Sequence, residues 1–410
     1  MSSLSRSSSN PSNHNILTKY DAVIIGAGLG GLTSAALLAN AGKQVLVLER
    51  NAFPGGAATT YQRGPLTIEA SLHETTPPGS AGDPKRDLFE KIGLVGELEF
   101  VEIPWFQEVR WPGIGAPFRL PHGLEAVQTA LHEHFPEAEK GSRLLIEQLH
   151  RTLQLPEFAS PEHNLGWRLN HLAELPLGVW AAFKDVRSSL GDVFRRYFGD
   201  NEAIKFALSG NLMYYGDDPD KLWWMAYAMA QGSYMKWGGY YIRGGSQQLT
   251  NKLVEAIENA GGHVLVNCPA TQIELDGAGV AAVRYRDKNS QVEHRIESDH
   301  LLANAAPQVV SDMLPEQVRS GFMAPYQQRE LSISLLSVSL GLDRPPAEFG
   351  ISSYSTVLVP AWMKQFSDYP KATELFSADP DGRLPVMCIV DYNQIDSGLP
   401  FAKDLDAERA

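Results

Sequence analysis

Four glycines near the N-terminus have the spacing of a phosphate-binding turn. Gly26, Gly28 and Gly31 make G-x-G-x-x-G, with Leu29 and Gly30 between them. The first glycine permits a tight turn, the second lets backbone approach a pyrophosphate, and the third lets a helix pack close to a strand. The free N–H groups and positive dipole end of that helix then face the phosphates. Glu49 lies 23 residues after Gly26, where a carboxylate accepts hydrogen bonds from ribose hydroxyls and repels a 2′-phosphate. Its neighbour Arg50 either softens that repulsion or pairs at the surface.

Such a turn needs particular elements around it. Tyr20–Ile25 reads as a short buried strand. Leu32, Ala35, Ala36 and Ala39 recur at helical spacing, and Gly42 stands where a helix C-cap belongs. Gln44–Leu48 is a second strand ending at the acid. The stretch 23–42 has about the length of a bilayer span, but five glycines within it are better explained by the turn. Gly55 and Gly56 follow six residues after Glu49. A nicotinamide dehydrogenase has no use for a second glycine loop, whereas the long tail of a flavin dinucleotide runs past one.

The rest of the chain excludes several chemistries. Of 410 residues, 35 are Lys or Arg and 48 Asp or Glu, a net charge of −13 that disfavours nucleic acid. Hydrophobic residues make up 43%, enough for a large core and, at this length, two or three domains. Two cysteines, Cys268 and Cys388, make no disulfide framework, and a reducing compartment is expected. His132 and His134 lack further ligands at metal spacing, so no metal is expected, and no G-x-S-x-G supports a hydrolase. Residues 1–19, rich in Ser and Asn, read as a disordered tail. Residues 85–235 read mostly as helices, among them Gly123–Phe135, Glu137–Leu153 and Pro219–Gln231. Trp223, Trp224, Tyr227, Trp237 and Tyr240 belong to an aromatic run that suits a packed helix core, the wall of an apolar tunnel, or a membrane-facing patch.

Residues 240–310 hold a second set of signals. A helix with an apolar stripe of Leu249, Leu253 and Ile257 follows Gly244–Gly245, with Ser246 as its N-cap. A strand at His263–Val266, a hairpin of Ala281–Arg286 with Gln291–Ile296, and a returning strand over Asp299–Pro307 come next.

With VIIGAGLGGLTSAALLANAGKQVLVLERNAFPGGAATT and this second block, the chain resembles amine-oxidase-type FAD flavoproteins, and within them the phytoene desaturase, carotenoid isomerase and retinol saturase branch. The resemblance implies an α/β fold: a Rossmann-like FAD-binding domain with an inserted α+β substrate domain having a helical cap. The implied division is 20–84 and 240–310 for the FAD-binding domain, 85–239 for the helical substrate or cap region, and 311–410 for a substrate domain. It also implies FAD at Gly26, Gly28, Leu29, Gly30, Gly31, Glu49, Arg50, Gly55, Gly56, Ala57 and Ala270. Ala57 stands where many members carry Arg, a role left to Arg63, and Ala270 where many carry Val against the adenosine. Glu69 and His73 become candidate catalytic groups beside the flavin ring. The implied activity is desaturation, saturation or isomerisation of a hydrophobic polyene such as a carotenoid or retinoid, with NAD(P) as electron partner. The expected location is cytoplasmic with peripheral membrane contact. An amine-oxidase-type enzyme and a non-catalytic remnant are the alternatives. The family's C-terminal glycine-rich loop has no counterpart after Gly350, where only Gly382 and Gly398 occur.

Overall fold

Strand β1 (Lys19–Ile25) is apolar from Ala22 onward because sheet neighbours flank it and helices cover its faces; Val23 and Ile24 are wholly buried. The structure, a computed structural model, describes residues 16–396 apart from 65, 80–83, 155–165, 167–184, 217, 278, 330–332 and 377–379. The expected tail at 1–15 and the residues after 396 lie outside the described residues. After β1 the strands are β2 (Val45–Leu48), β3 (Thr60–Arg63), β4 (Leu66–Glu69), β5 (Phe100–Glu102), β6 (Gln107–Arg110), β7 (Phe118–Leu120), β8 (Tyr240–Ile242), β9 (His263–Leu265), β10 (Ala270–Asp276), β11 (Gly279–Arg286), β12 (Glu293–Ala303), β13 (Ser355–Leu358) and β14 (Met387–Val390).

Six of them form one sheet in the order β10-β11-β12-β1-β2-β9. β12, β1, β2 and β9 run parallel, and β10, β11 and β12 are joined antiparallel. Side chains alternate across the sheet as the two-residue period of a strand requires. Ala22, Ile24, Val45 and Val47 pack under the helices Leu29–Asn40 and Gln247–Asn259. Val23, Ile25, Leu46 and Leu48 pack on the other face with Val310 and Met313 of the helix Pro307–Met313. This is the expected Rossmann-like α/β arrangement, with two refinements. The hairpin strand and the returning strand are one eleven-residue strand, β12. The edge strand β10, with irregular pairing to β11, has too polar a sequence to announce itself.

A second sheet, β14-β13-β6-β7, carries the other core. Phe106, Val109, Phe118, Leu120 and Val357 meet the helices Leu124–His134, Glu139–Leu153, Leu190–Phe198 and Trp224–Trp237. The segment read as mostly helical therefore contains strands. β6 is Gln-Glu-Val-Arg, and its Gln107 and Glu108 are buried. Glu108 is sustained by Arg110, Arg119 and Ser353, whose donors lie 2.6, 2.8 and 2.7 Å from its carboxylate. A charged strand inside a core has no alternating signature. The aromatic helix runs over Trp224–Trp237 rather than from 219, because Trp223 is held extended in a bridge to Ser189 and Trp224 N–H donates to the Ser188 carbonyl.

Candidate functional site

The turn after β1 is crowded by backbone. Gly26 has φ +98°, and a Cβ there would lie 2.5 Å from the Asn304 carbonyl oxygen. A Cβ on Gly31 would lie 2.1 Å from the Gly26 carbonyl oxygen, so the helix Leu29–Asn40 sits against β1 only because residue 31 is glycine. The Asn304 side chain lies across the turn, 3.0 Å from the Cβ positions of both Gly28 and Gly30. Gly28 is the helix N-cap with no side-chain cap, and the first turn has no acid. An anion meets free N–H groups there with nothing competing for them.

Glu49 fastens this turn to the second glycine loop. Its buried carboxylate accepts Ala27 N–H through Oε2 and Asn51 N–H through Oε1, both at 2.8 Å. Two acceptor oxygens retain lone pairs for ribose hydroxyls. Gly55 pairs with Gly28 in an isolated parallel bridge and donates its N–H to the Ala27 carbonyl at 2.7 Å. Gly56, at φ +62°, would bring a Cβ to 3.2 Å from Gly28 Cα. The two glycine loops thus touch, and the second pair is required by the first as much as by any ligand. Leu29 opens the helix half-buried, while Arg50, Gly56 and Ala57 are exposed; Arg63 is exposed on β3. Ala270 begins β10 two residues beyond Cys268, whose N–H donates to the Glu49 carbonyl at 2.7 Å.

Glu69 is engaged as a hydrogen-bond acceptor in this geometry. Its carboxylate accepts Ser246 O–H at 2.5 Å, Ser246 N–H at 2.8 Å and Thr60 O–H at 2.8 Å. Burial pushes its pKa up, and the Ser246 and Thr60 bonds pull against that. The two Ser246 bonds hold the β3–β4 hairpin on the Gly244–Ser246 turn, and the Thr60 bond closes the hairpin on itself. Ser246 is correspondingly not the side-chain cap of helix Gln247–Asn259; its hydroxyl is engaged by Glu69 instead.

Past β4 the chain enters a chamber of buried side chains packed beside β8 and β13. Thr75 and Tyr240 exchange backbone hydrogen bonds at 2.8 Å, and Tyr354 O–H donates to the His73 carbonyl at 2.7 Å. Burial holds the His73 imidazole below its ordinary value, so it is neutral at pH 7. Beside it, Glu74 is buried and its carboxyl is pushed up to about 8 by desolvation, with a Ser355 hydrogen bond opposing. Glu74 Oε1 is 3.6 Å from His73 Nε2 and has no hydrogen-bond partner among the described residues. Tyr214 of the helix Leu212–Tyr215 stacks obliquely on His73, ring centres 5.6 Å apart, and Cys388 of β14 approaches Ser355 at 3.5 Å. Gln107, Gln231, Tyr241 and Thr356 also carry buried polar atoms without partners among the described residues. Each such atom costs about 1–3 kcal/mol if left dry and unpaired. Glu74, Tyr214 and Cys388 were not among the sequence candidates, since residues drawn from positions 74, 214 and 388 share no local pattern.

The five aromatic candidates are not brought together. Trp224 and Tyr227 are fully buried in the second core, and the Tyr227 hydroxyl donates to the Leu208 carbonyl at 2.7 Å. Trp223 and Trp237 are 50% and 41% exposed. Tyr240 alone borders the chamber, through Thr75.

The flavin containing amine oxidoreductase family matches residues 29–377, so the chain belongs to it. Human all-trans-retinol 13,14-reductase is 29% identical over 281 residues, covering 64% of this chain and 43% of that protein. Phytoene dehydrogenase of Streptomyces griseus is 25% identical over 364 residues, covering 87% and 66%. The chain spans about half the length of the retinol reductases it matches. A solved Pyrococcus furiosus protein shares the fold with a TM-score of 0.51 at 20% identity, covering 76% of this chain and 65% of that one.

Proposed function

We propose that this member of the flavin containing amine oxidoreductases binds FAD and adds, removes or isomerises a double bond in a hydrophobic polyene of the carotenoid or retinoid class. The observation that carries the reading is the uncapped helix N-terminus at Gly28–Gly31, enclosed by the second glycine loop and locked by Glu49. The dinucleotide's pyrophosphate would lie on the N–H groups of that turn, and a ribose on Glu49. Bound FAD supplies hydride chemistry at carbon. The chain's own part is to hold the dinucleotide along two glycine loops, to keep Glu69 fixed on Ser246, and to present a dry chamber in which His73 and Glu74 are both uncharged.

The polyene class rests on similarity to proteins named for retinol and phytoene, and on the aromatic walls of the chamber. Phe106 and Tyr234 stack with ring centres 4.4 Å apart, and Tyr241, Tyr354 and Tyr392 pack within 6.4 Å of one another. Among the described residues no helix is long and apolar enough to cross a membrane. Exposed Leu336, Val338 and Leu340 offer apolar side chains for contact with a bilayer that carries such a substrate. A nicotinamide is the electron partner we assign to it.

The visible spectrum of the purified protein is the test. Flavin bands near one per chain are expected, as isolated or after soaking in FAD, followed by an absorbance change of all-trans-retinol or phytoene. A protein that stays colourless in FAD overturns the reading, and hydrogen peroxide released from an amine would replace the polyene with an amine substrate.

A further inference from the structure

We propose that Glu74 is the proton-holding group of the redox reaction, storing as a neutral carboxylic acid the proton that accompanies hydride transfer. This rests on the FAD reading above and assigns it a residue.

Position comes first. Glu74 lies five residues past Glu69, which is pinned to the turn before helix Gln247–Asn259, and one residue before Thr75, which pairs with Tyr240. It therefore sits between the turn that precedes helix Gln247–Asn259 and Ser355 at the start of β13, and ligand sites favour junctions between substructures. Its side chain is 4% exposed, and Oε1 has no hydrogen-bond partner among the described residues. A buried carboxyl oxygen in that condition is either a standing cost or a group awaiting a partner.

The surroundings decide the charge. The titratable groups acting with Glu74 are Tyr214 and Tyr215 from their short helix, Tyr234 from the aromatic helix, Tyr354 just before β13, Cys388 from β14 and Tyr392 beyond it. All are pushed up by burial and stay neutral at pH 7; the Cys388 thiol is pushed up to about 11. His73, adjacent in sequence, is neutral too. The nearby cation, Lys85, is engaged with the Thr75 and Thr76 hydroxyls at 3.1 and 2.8 Å. A carboxyl ringed by phenols and a thiol keeps its proton through desolvation, and a group that titrates near neutrality is suited to general acid–base work.

The chemistry balances as follows. In the saturating direction the π bond of a C=C would break, one carbon taking the hydride that bound reduced FAD would supply and the other the proton of the Glu74 O–H. The polyene would be reduced at the expense of FADH2, and the Glu74 carboxylate would regain its proton from water by way of His73. The desaturating direction is the reverse, with Glu74 accepting.

Difference infrared spectroscopy, oxidised minus reduced, on the FAD-loaded protein reads this directly. A protonated carboxyl C=O band is expected that changes with flavin redox state, downshifts in deuterium oxide and vanishes in Glu74→Gln. Glu74→Gln should retain FAD as the wild type does, and Glu74→Asp should restore a shifted band. With all-trans-retinol, Glu74→Gln should lose at least a hundredfold in turnover with little change in KM. Retained FAD with no redox-linked band at Glu74 overturns the proton assignment alone. A protein that never retains FAD overturns the functional reading instead, and a pH-titrating band at Glu74 in that apoprotein would make the acid structural.

Discussion

The glycine turn after β1 and the chamber around Glu74 are built on opposite plans. The turn is made of backbone from one contiguous stretch, and its tolerances are set by atoms that are absent: a single Cβ at Gly31 would reach 2.1 Å from a carbonyl oxygen. The chamber is made of side chains from five separated segments, and its properties are set by what surrounds each group. Backbone sites are specified by residue type at fixed spacing. Side-chain chambers are specified by tertiary assembly, so their chemistry, here a neutral carboxyl beside a neutral imidazole, emerges only after folding.

If that division is right, breaking the turn should cost more than trimming the chamber. Glu49→Ala should have the largest effect, since it strips acceptors from Ala27 N–H and Asn51 N–H at once. At about 1–3 kcal/mol for each orphaned donor, urea unfolding should show a loss of several kcal/mol together with loss of bound flavin. Gly31→Ala comes next, at about 3 kcal/mol of overpacking, read as a lowered melting temperature; retention of wild-type stability would mean the helix can back away from β1.

The chamber is tested by pH. Glu74, raised to about 8 from its ordinary value of 4.5, binds a proton in the folded state that the unfolded chain has released. Folding stability should therefore fall as pH rises from 4.5 through 8. His73, lowered from 6.5, works oppositely below pH 6.5, where the unfolded chain is protonated and the folded one is not. Between about pH 6.5 and 8 His73 no longer opposes it, and Glu74 contributes a slope of up to about 1.4 kcal/mol per pH unit, with Glu69, also raised by burial, acting in the same direction. Chemical denaturation across that window should show the decline in wild type and a shallower one in Glu74→Gln. The smallest effect is expected at Trp237→Ala. It is 41% exposed with Lys236 over its ring at 4.7 Å, and a change within about 0.5 kcal/mol would set it apart from the core aromatics.

How much of this could be read from the chain follows the same line. The strand, turn, helix and second strand of residues 19–48 are legible because glycine spacing and apolar period are local properties. Glu49 is legible as an acid at a strand tip, although its role as a clasp for Ala27 and Asn51 is not. Ser246 shows the limit: a serine ahead of a helix has two uses, and only the proximity of Glu69 selects between them. β6 was hidden because Gln107 and Glu108 are buried by partners from 110, 119 and 353. Trp223 and Trp224 are neighbours in sequence, yet one faces solvent and the other the core, because a bridge to Ser189 ends just before the helix starts.

The register of β1 with β12 pairs Lys19 with Glu297 and Ile25 with Ala303. On a ribosome the partner strand therefore emerges 278 residues after β1. At about 5–20 residues per second, one edge of an apolar strand waits roughly 15–55 s for its neighbour. Throughout synthesis that edge is open to any other nascent strand, so the yield of this protein in cells should depend on translation speed and on chaperones that hold β1 and β2 until β12 arrives.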